Sequence, residues 1–279
     1  MQHVTGRVYA DTEGKNGGNF GAVVLDDQIV MIDSGLAHTV TRKVRDQLVK
    51  ESGLPILKVA FTHHHSDHVF GAQAFEQASL IASLAMGDCC REALKDDWIL
   101  SEIRDYASQT KVDRPDFWVS VQDLRIRTPD ILFTGTLTIG RANDMEVKHV
   151  GGHTSDSSIV IVEPEHVVFS GDLLFCGTFP YAGDPTNDPE AWIAALQGFL
   201  KPDYVRIVPG HGSVCGNDEV VRHLDFFKSL RRNIKRALKR GISVDEFMEQ
   251  DMIPEYYTDG ADKRARSTVE RWYDYYGKS

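Results

Sequence analysis

The stretch Phe61-Thr62-His63-His64-His65-Ser66-Asp67-His68 follows directly on the apolar run Ile56–Ala60. It holds four of the chain's 11 histidines within six residues, with an aspartate among them. A random chain of this composition would hold about 0.002 matches to His-x-His-x-Asp-His. Ile56 to Thr62 reads as a buried strand, so His63 begins where a strand ends. Polar groups of ligand type crowded at a strand end are the mark of a site on an α/β scaffold. The run is internal, which excludes a purification tag.

The remaining polar candidates repeat that placement. Met145 to Val150 is an apolar-rich strand that passes through Gly151-Gly152 into His153. Val167 to Ser170 leads through Gly171 to Asp172, and Val205 to Val208 leads through Pro209-Gly210 to His211. Glycine beside each candidate lets the backbone turn and lets a ligand approach. His149 lies four residues before His153 on a strand and reads as structural. His64 faces away from its neighbours if the segment is extended, which makes it a non-ligand.

The rest of the chain alternates strands and helices. Gly21–Asp27 and Gln28–Gly35 form a hairpin joined at Asp26-Asp27. Thr39 to Lys50 has helical spacing, with Val40, Val44 and Leu48 on one face. Residues 86–110 read as helix and residues 111–130 as a surface loop, with Trp98, Trp118 and that loop as a wall near the site. Residues 131–170 read as strands. Asp188 caps a helix that runs to Leu200, with Pro189 at its first position. From residue 218 the chain reads as helices. Lys228 to Arg240 is basic, but Leu230, Ile234 and Leu238 recur at helical spacing, so its charges form a solvated face.

The chain has 279 residues and a net charge of −10, with 42% hydrophobic and 26% charged residues. These values describe a globular chain and argue against broad nucleic-acid or anionic-membrane binding. No apolar run reaches a membrane span and no secretory leader is visible, so a cytoplasmic location is expected. The four cysteines include no C-x-x-C pair, which favours reduced thiols over a disulfide framework or a cysteine zinc site.

His63-x-His65-x-Asp67-His68, then His153, Asp172 and His211, in that order, resembles the metallo-β-lactamase fold superfamily over roughly residues 5–215. Asp33-Ser34-Gly35 matches its early Asp-x-Gly element. The resemblance implies an α/β fold, a four-layer αββα sandwich of two mixed sheets flanked by helices. It implies a catalytic unit over residues 1–217, with residues 218–279 as a helical extension that caps the site or forms a homodimer interface. It further implies a two-metal site. His63, His65 and His153 would hold the first ion, Asp67, His68 and His211 the second, and Asp172 would bridge both. Imidazole and carboxylate suit Zn²⁺, with Mn²⁺ or Fe accepted. A metal-bridging hydroxide would be the nucleophile, Asp67 would orient it or shuttle its proton, and Asp33 would fix a ligand histidine.

Aspartate at 172 is similar to the glyoxalase II-like and lactonase-like members rather than to the class with cysteine there. The segment after it lacks the Gly-Cys-Gly-Arg element of glyoxalase II-like thioesterases. Within that segment Phe179 and Tyr181 are candidates for a substrate pocket. The expected activity is a dinuclear zinc hydrolase acting on an ester, lactone, thioester or cyclic amide of a small molecule. The alternatives are a mono-iron persulfide dioxygenase-like oxidoreductase and a β-lactam-hydrolysing enzyme.

Overall fold

The structure is a computed structural model and describes residues 1–141, 144–200, 204 and 206–278. Val205, in an expected strand, and Ser279, the end of the expected helical extension, lie outside the described residues.

Two mixed sheets form the centre. The first runs β1 (Gln2–Thr5), β2 (Val8–Asp11), β3 (Phe20–Val24), β4 (Ile29–Ile32), β5 (Ile56–Ala60), β6 (Ser79–Ser83) and β7 (Ile131–Phe133), paired in chain order. β1 to β4 are antiparallel and β4 to β7 parallel. The second contains β8 (Thr136–Ile139), β9 (Met145–His149), β10 (Ser158–Val162), β11 (Val167–Phe175) and β12 (Arg206–His211), in the spatial order 12-11-10-9-8. Among the described residues its only parallel pair is β11 with β12.

The helices are α1 (His38–Ser52), α2 (Ser66–Val69), α3 (Leu84–Ala93), α4 (Leu100–Gln109), α5 (Pro115–Ser120), α6 (Pro189–Phe199), α7 (Asn217–Lys239), α8 (Val244–Glu249) and α9 (Ala261–Gly277). Three apolar clusters fill the three gaps of a four-layer sandwich. Val30 and Ile32 of β4 meet Val160 and Val162 of β10 between the sheets. Ile29 and Met31 of β4 face the opposite way, towards Leu48 of α1 and Trp98. Ile159 and Ile161 of β10 join α6, α7 and α9 through Trp192, Phe227 and Trp272. Strands buried on both faces need apolar residues at every position, which is why these runs show no polar alternation. Each such side chain, fully buried, stabilises the fold by about 1.5–3 kcal/mol.

Two expectations are corrected. Residues 86–110 are not one helix. The chain breaks between α3 and α4, where Trp98 is buried against Phe70 with ring centroids 5.4 Å apart. The expected loop 111–130 contains α5, which starts on Pro115, and proline is well suited to a first helical position because its missing N–H is not needed there. The expected helices at 39–50 and 188–200 correspond to α1 and α6, and Asp188 caps α6 by accepting from Glu190 and Ala191 N–H.

Candidate metal centre

The seven residues singled out by spacing converge from both sheets. The turn after β5 carries His63, His65, Asp67 and His68, the last two on α2. The turn before β10 brings His153, and β11 and β12 bring Asp172 and His211. One ligand atom each from His63, His65, His153 and Asp172 fall within 4.8 Å of one another, and the same holds for Asp67, His68 and His211. Asp172 reaches both groups. Its Oδ1 lies 3.1 Å from His68 Nε2, and its Oδ2 lies 3.4 Å from His211 Nε2, 3.5 Å from His153 Nε2 and 3.8 Å from His63 Nε2. Asp67 Oδ2 is 3.4 Å from His211 Nε2.

Supporting bonds decide which nitrogen faces inward. His63 Nδ1 is held at 3.1 Å by the Thr62 hydroxyl, and His68 Nδ1 is 2.9 Å from Asp33 Oδ2. His65 Nε2 is 3.0 Å from Asp184 Oδ2, so its Nδ1 turns to the centre, 3.1 Å from His153 Nε2. Asp33 also accepts from Thr62 N–H and the Thr62 hydroxyl, both at 2.7 Å. It does so at φ +56°, a left-handed conformation that non-glycine residues adopt mainly where the surroundings impose it.

Two glycines make room for this arrangement. A Cβ at Gly18 would overlap the His68 imidazole, and a Cβ at Gly210 would overlap Asp172 Oδ1. His153 is walled by Trp192, ring centroids 5.1 Å apart, whose indole N–H is tied to the Leu173 carbonyl at 2.9 Å.

The electrostatics suit a cation. Burial pushes the His63 imidazole well below its usual range and His153 down to about 4, so both stay neutral with a lone pair free. Burial also opposes charge on His68, but Asp172 and Asp67 outweigh it and raise that group well above its usual range. Without a metal, the centre therefore collects a proton on His68 against its two carboxylates. His63 Nε2, His68 Nε2 and Asp172 Oδ1 are buried without an aligned hydrogen-bond partner. Buried polar atoms are otherwise nearly always paired. Three such atoms in the two adjoining groups fit ion ligation, as does a donor set of imidazole nitrogen and carboxylate oxygen.

The centre opens into a cavity of about 810 Å³. Phe70, Trp98, Ile103 and Phe117 line one side, and Phe175, Tyr181 and Arg264 line another. Trp98 thus forms part of the wall, and Trp118 does not. Tyr181 lines the cavity, as expected, but Phe179 does not. Its ring is buried against Phe226 and Tyr256, at 5.4 and 6.4 Å between centroids. His64 and His149 belong to neither ligand group. His64 Nδ1 pairs with Asp156 Oδ1 at 3.0 Å, and His149 Nε2 lies 2.8 Å from the Ser155 carbonyl.

Sequence reasoning missed Asp184, Trp192 and Arg264. Arg264 projects from α9, with its Nη1 bonded to the Phe179 carbonyl at 2.7 Å. Its guanidinium sits 5.5 Å from the Phe175 ring centroid, and Phe175 stacks on His211 at 5.2 Å and 11°. No carboxylate pairs with Arg264 among the described residues.

Residues 14–211 match the profile of the metallo-beta-lactamase superfamily. A linear primary-alkylsulfatase from Pseudomonas sp. is 23% identical over 81% of this chain and 48% of its own length. A hydroxyacylglutathione hydrolase from Nitrobacter winogradskyi is 30% identical over 69% of this chain and 62% of its own. The chain therefore spans about half to under two thirds of these relatives. Among solved structures, a stereoselective inverting sec-alkylsulfatase from Pseudomonas sp. superimposes over 98% of this chain and 49% of its own, with a TM-score of 0.75 at 15% identity. A metallo-beta-lactamase from Pontibacter korlensis covers 81% of this chain and is itself covered to 97%, with a TM-score of 0.61 at 18% identity. Both share the fold.

Proposed function

The chain belongs to the metallo-β-lactamase superfamily, and from that premise we propose that it is a dinuclear zinc hydrolase that cleaves an ester-like bond of a small molecule. The bond would be that of an ester, lactone, thioester or cyclic amide. The observation that carries this reading is Asp172, one carboxylate within 4 Å of histidines from both ligand groups. His63, His65 and His153 would hold one ion, Asp67, His68 and His211 the other, and Asp172 would be shared. Bound zinc would lower the pKa of water and polarise the scissile carbonyl.

The chain's own groups would do the rest. Asp67, at the cavity edge, would take the proton of the attacking water and pass it to the leaving group. Tyr181 stands 6.1 and 6.2 Å, ring to ring, from His65 and His153. Burial and then Asp184 push its phenol above the usual range, so it stays protonated and can donate to a developing oxyanion. Arg264 supports a substrate with an anionic group, and the Phe70, Trp98, Ile103 and Phe117 side supports an apolar remainder. On this reading residues 218–279 complete the catalytic unit rather than form a separate module, because α9 supplies Arg264.

The relatives named as hydroxyacylglutathione hydrolases and as an alkylsulfatase support hydrolysis, and the latter adds sulfate esters to the candidate substrates. Four free cysteines support a reducing, cytoplasmic compartment, and no helix among the described residues is long and apolar enough to cross a membrane. The net charge of −10 favours a small-molecule substrate over nucleic acid.

The test is elemental mass spectrometry on purified protein, followed by an ester, lactone, thioester and β-lactam panel on wild type and Asp172→Ala. Two zinc ions per chain and a hydrolysed substrate, both lost in Asp172→Ala, are expected. One iron per chain would overturn the reading in favour of sulfur oxidation, and hydrolysis undiminished by Asp172→Ala would overturn the site.

A further inference from the structure

We propose that His64, Cys89 and Asp156 form an additional metal site, separate from the seven-residue centre, that takes a thiophilic divalent cation such as Zn²⁺ or Co²⁺. The three residues come from three elements: the turn after β5, helix α3 and the turn before β10. One ligand atom from each lies within 4.8 Å of the others. His64 Nδ1 is 3.0 Å from Asp156 Oδ1, and Cys89 Sγ is 3.5 Å from the Ser155 hydroxyl.

A second observation points to a ligand. Asp156 is fully buried, and its Oδ2 has no hydrogen-bond partner among the described residues. A carboxylate oxygen left unpaired in the interior is costly, and a cation is what would satisfy it. The His64 pairing accounts for Oδ1 alone. Burial first, and the Asp156 carboxylate next, push the Cys89 thiol up to about 11.

The charge balance permits an ion this close to the main centre. On binding, the Cys89 thiol releases its proton to solvent, and so does His64 where it is protonated. A divalent ion with one thiolate, one carboxylate and one neutral imidazole is neutral overall, so the site adds no net repulsion. Sulfur in the set favours zinc and cobalt over magnesium, calcium and manganese. His64 and Cys89 are only half-buried, which leaves a position open to water. The ion would tie α3, and through it the Trp98 side of the cavity, to both metal-bearing turns.

The seven-residue centre contains no sulfur, so thiolate-to-cobalt charge transfer separates the two sites. Metal-free protein is titrated with Co²⁺ and followed in the near ultraviolet, with bound metal counted by elemental analysis. Wild type should develop the band, and Cys89→Ser should lose it and bind one ion fewer, whereas Cys176→Ser should keep both. No band in wild type at saturation, or an undiminished band in Cys89→Ser, would overturn the proposal. Zinc should also protect Cys89 from iodoacetamide, read by peptide mass mapping, and equal labelling with and without zinc would count against the site. If Cys89→Ser binds no cobalt at all, the dinuclear reading fails while this one stands.

Discussion

Asp33 and His68 are joined by a 2.9 Å hydrogen bond between carboxylate Oδ2 and imidazole Nδ1, which leaves Nε2 as the nitrogen His68 turns towards Asp172, 3.1 Å away. The aspartate is itself pinned by Thr62 N–H and the Thr62 hydroxyl. One buried carboxylate thus fixes both a ligand and the start of the turn that carries three others. Asp33→Ala leaves those donors buried and unpaired, at about 1–3 kcal/mol each. Metal affinity should fall about 10–100-fold, the usual result of losing such a supporting group. Competition against a chromophoric chelator measures the affinity, and urea unfolding the stability.

Tyr181→Phe removes one hydroxyl and little volume. If that hydroxyl donates to the oxyanion, kcat falls about 10²-fold or more with KM nearly unchanged and metal content intact. A drop in metal content would instead assign Tyr181 to packing around His65. Steady-state kinetics on the best substrate of the panel, with metal counted in parallel, separates the two.

Arg264 predicts a difference between substrates rather than a loss of rate on all of them. A hydrogen bond to a charged group contributes about 1.5–3 kcal/mol, so Arg264→Met should raise KM about 10–100-fold for an anionic substrate. A neutral isostere should be nearly unaffected, and Arg264→Lys should recover part of the discrimination. Equal losses on both substrates would show that the guanidinium serves only to hold the Phe179 carbonyl.

His223 makes stability depend on pH. It is fully buried among Phe175, Trp192, Phe227 and Tyr256, and neither ring nitrogen has a hydrogen-bond partner among the described residues. Burial, with a smaller push from His153, lowers it to about 3 from an ordinary value of 6.5. The unfolded chain takes up a proton there below pH ~6.5, and the native fold does not until about pH 3, so stability falls as pH drops through that window. Between pH 6.5 and 4.5 the loss is about 2 kcal/mol, since each full unit is 1.36 kcal/mol and the unfolded group is already half protonated at pH 6.5. His223→Leu should abolish that part. Urea midpoints of both proteins, stripped of metal, at a series of pH values give the comparison.

The seven converging residues were legible in the sequence because each sits beside a glycine or within one short histidine cluster, at the end of an apolar run. His64 was separable from His63 and His65 by alternation alone. Arg264 was not legible. It lies 53 positions beyond His211, in the helical extension expected to cap the site or form an interface, with nothing in its spacing to single it out, and reaches the cavity because α9 docks on residues 178–182 through Thr268 and Arg264. Asp184 carries no spacing signal of its own, and only the fold shows that it is bonded to His65 as well as to Thr186. Phe179 and Tyr181 are two apart and would share a face in a regular strand, but residues 176–188 form none. α5 escaped notice because a six-residue helix is too short to show a period.

Asp67 and the three histidines beside it descend from one sheet, and His153, Asp172 and His211 from the other. Neither half therefore owns a complete set of the proposed ligands, and an ion bound between them would act as a rivet across the seam. Metal held at 100 times its dissociation constant adds about 2.7 kcal/mol to the folded state, all of it conditional on the halves being in register. Chelation should loosen the pairing of the sheets before it loosens either outer helical layer, so hydrogen exchange should quicken first in β5, β11 and β12. Among the described residues the outer layers meet the centre through Trp192 of α6 and reach its cavity through Ile103, Phe117 and Arg264, so at those positions their sequence is tied to the chemistry at the seam.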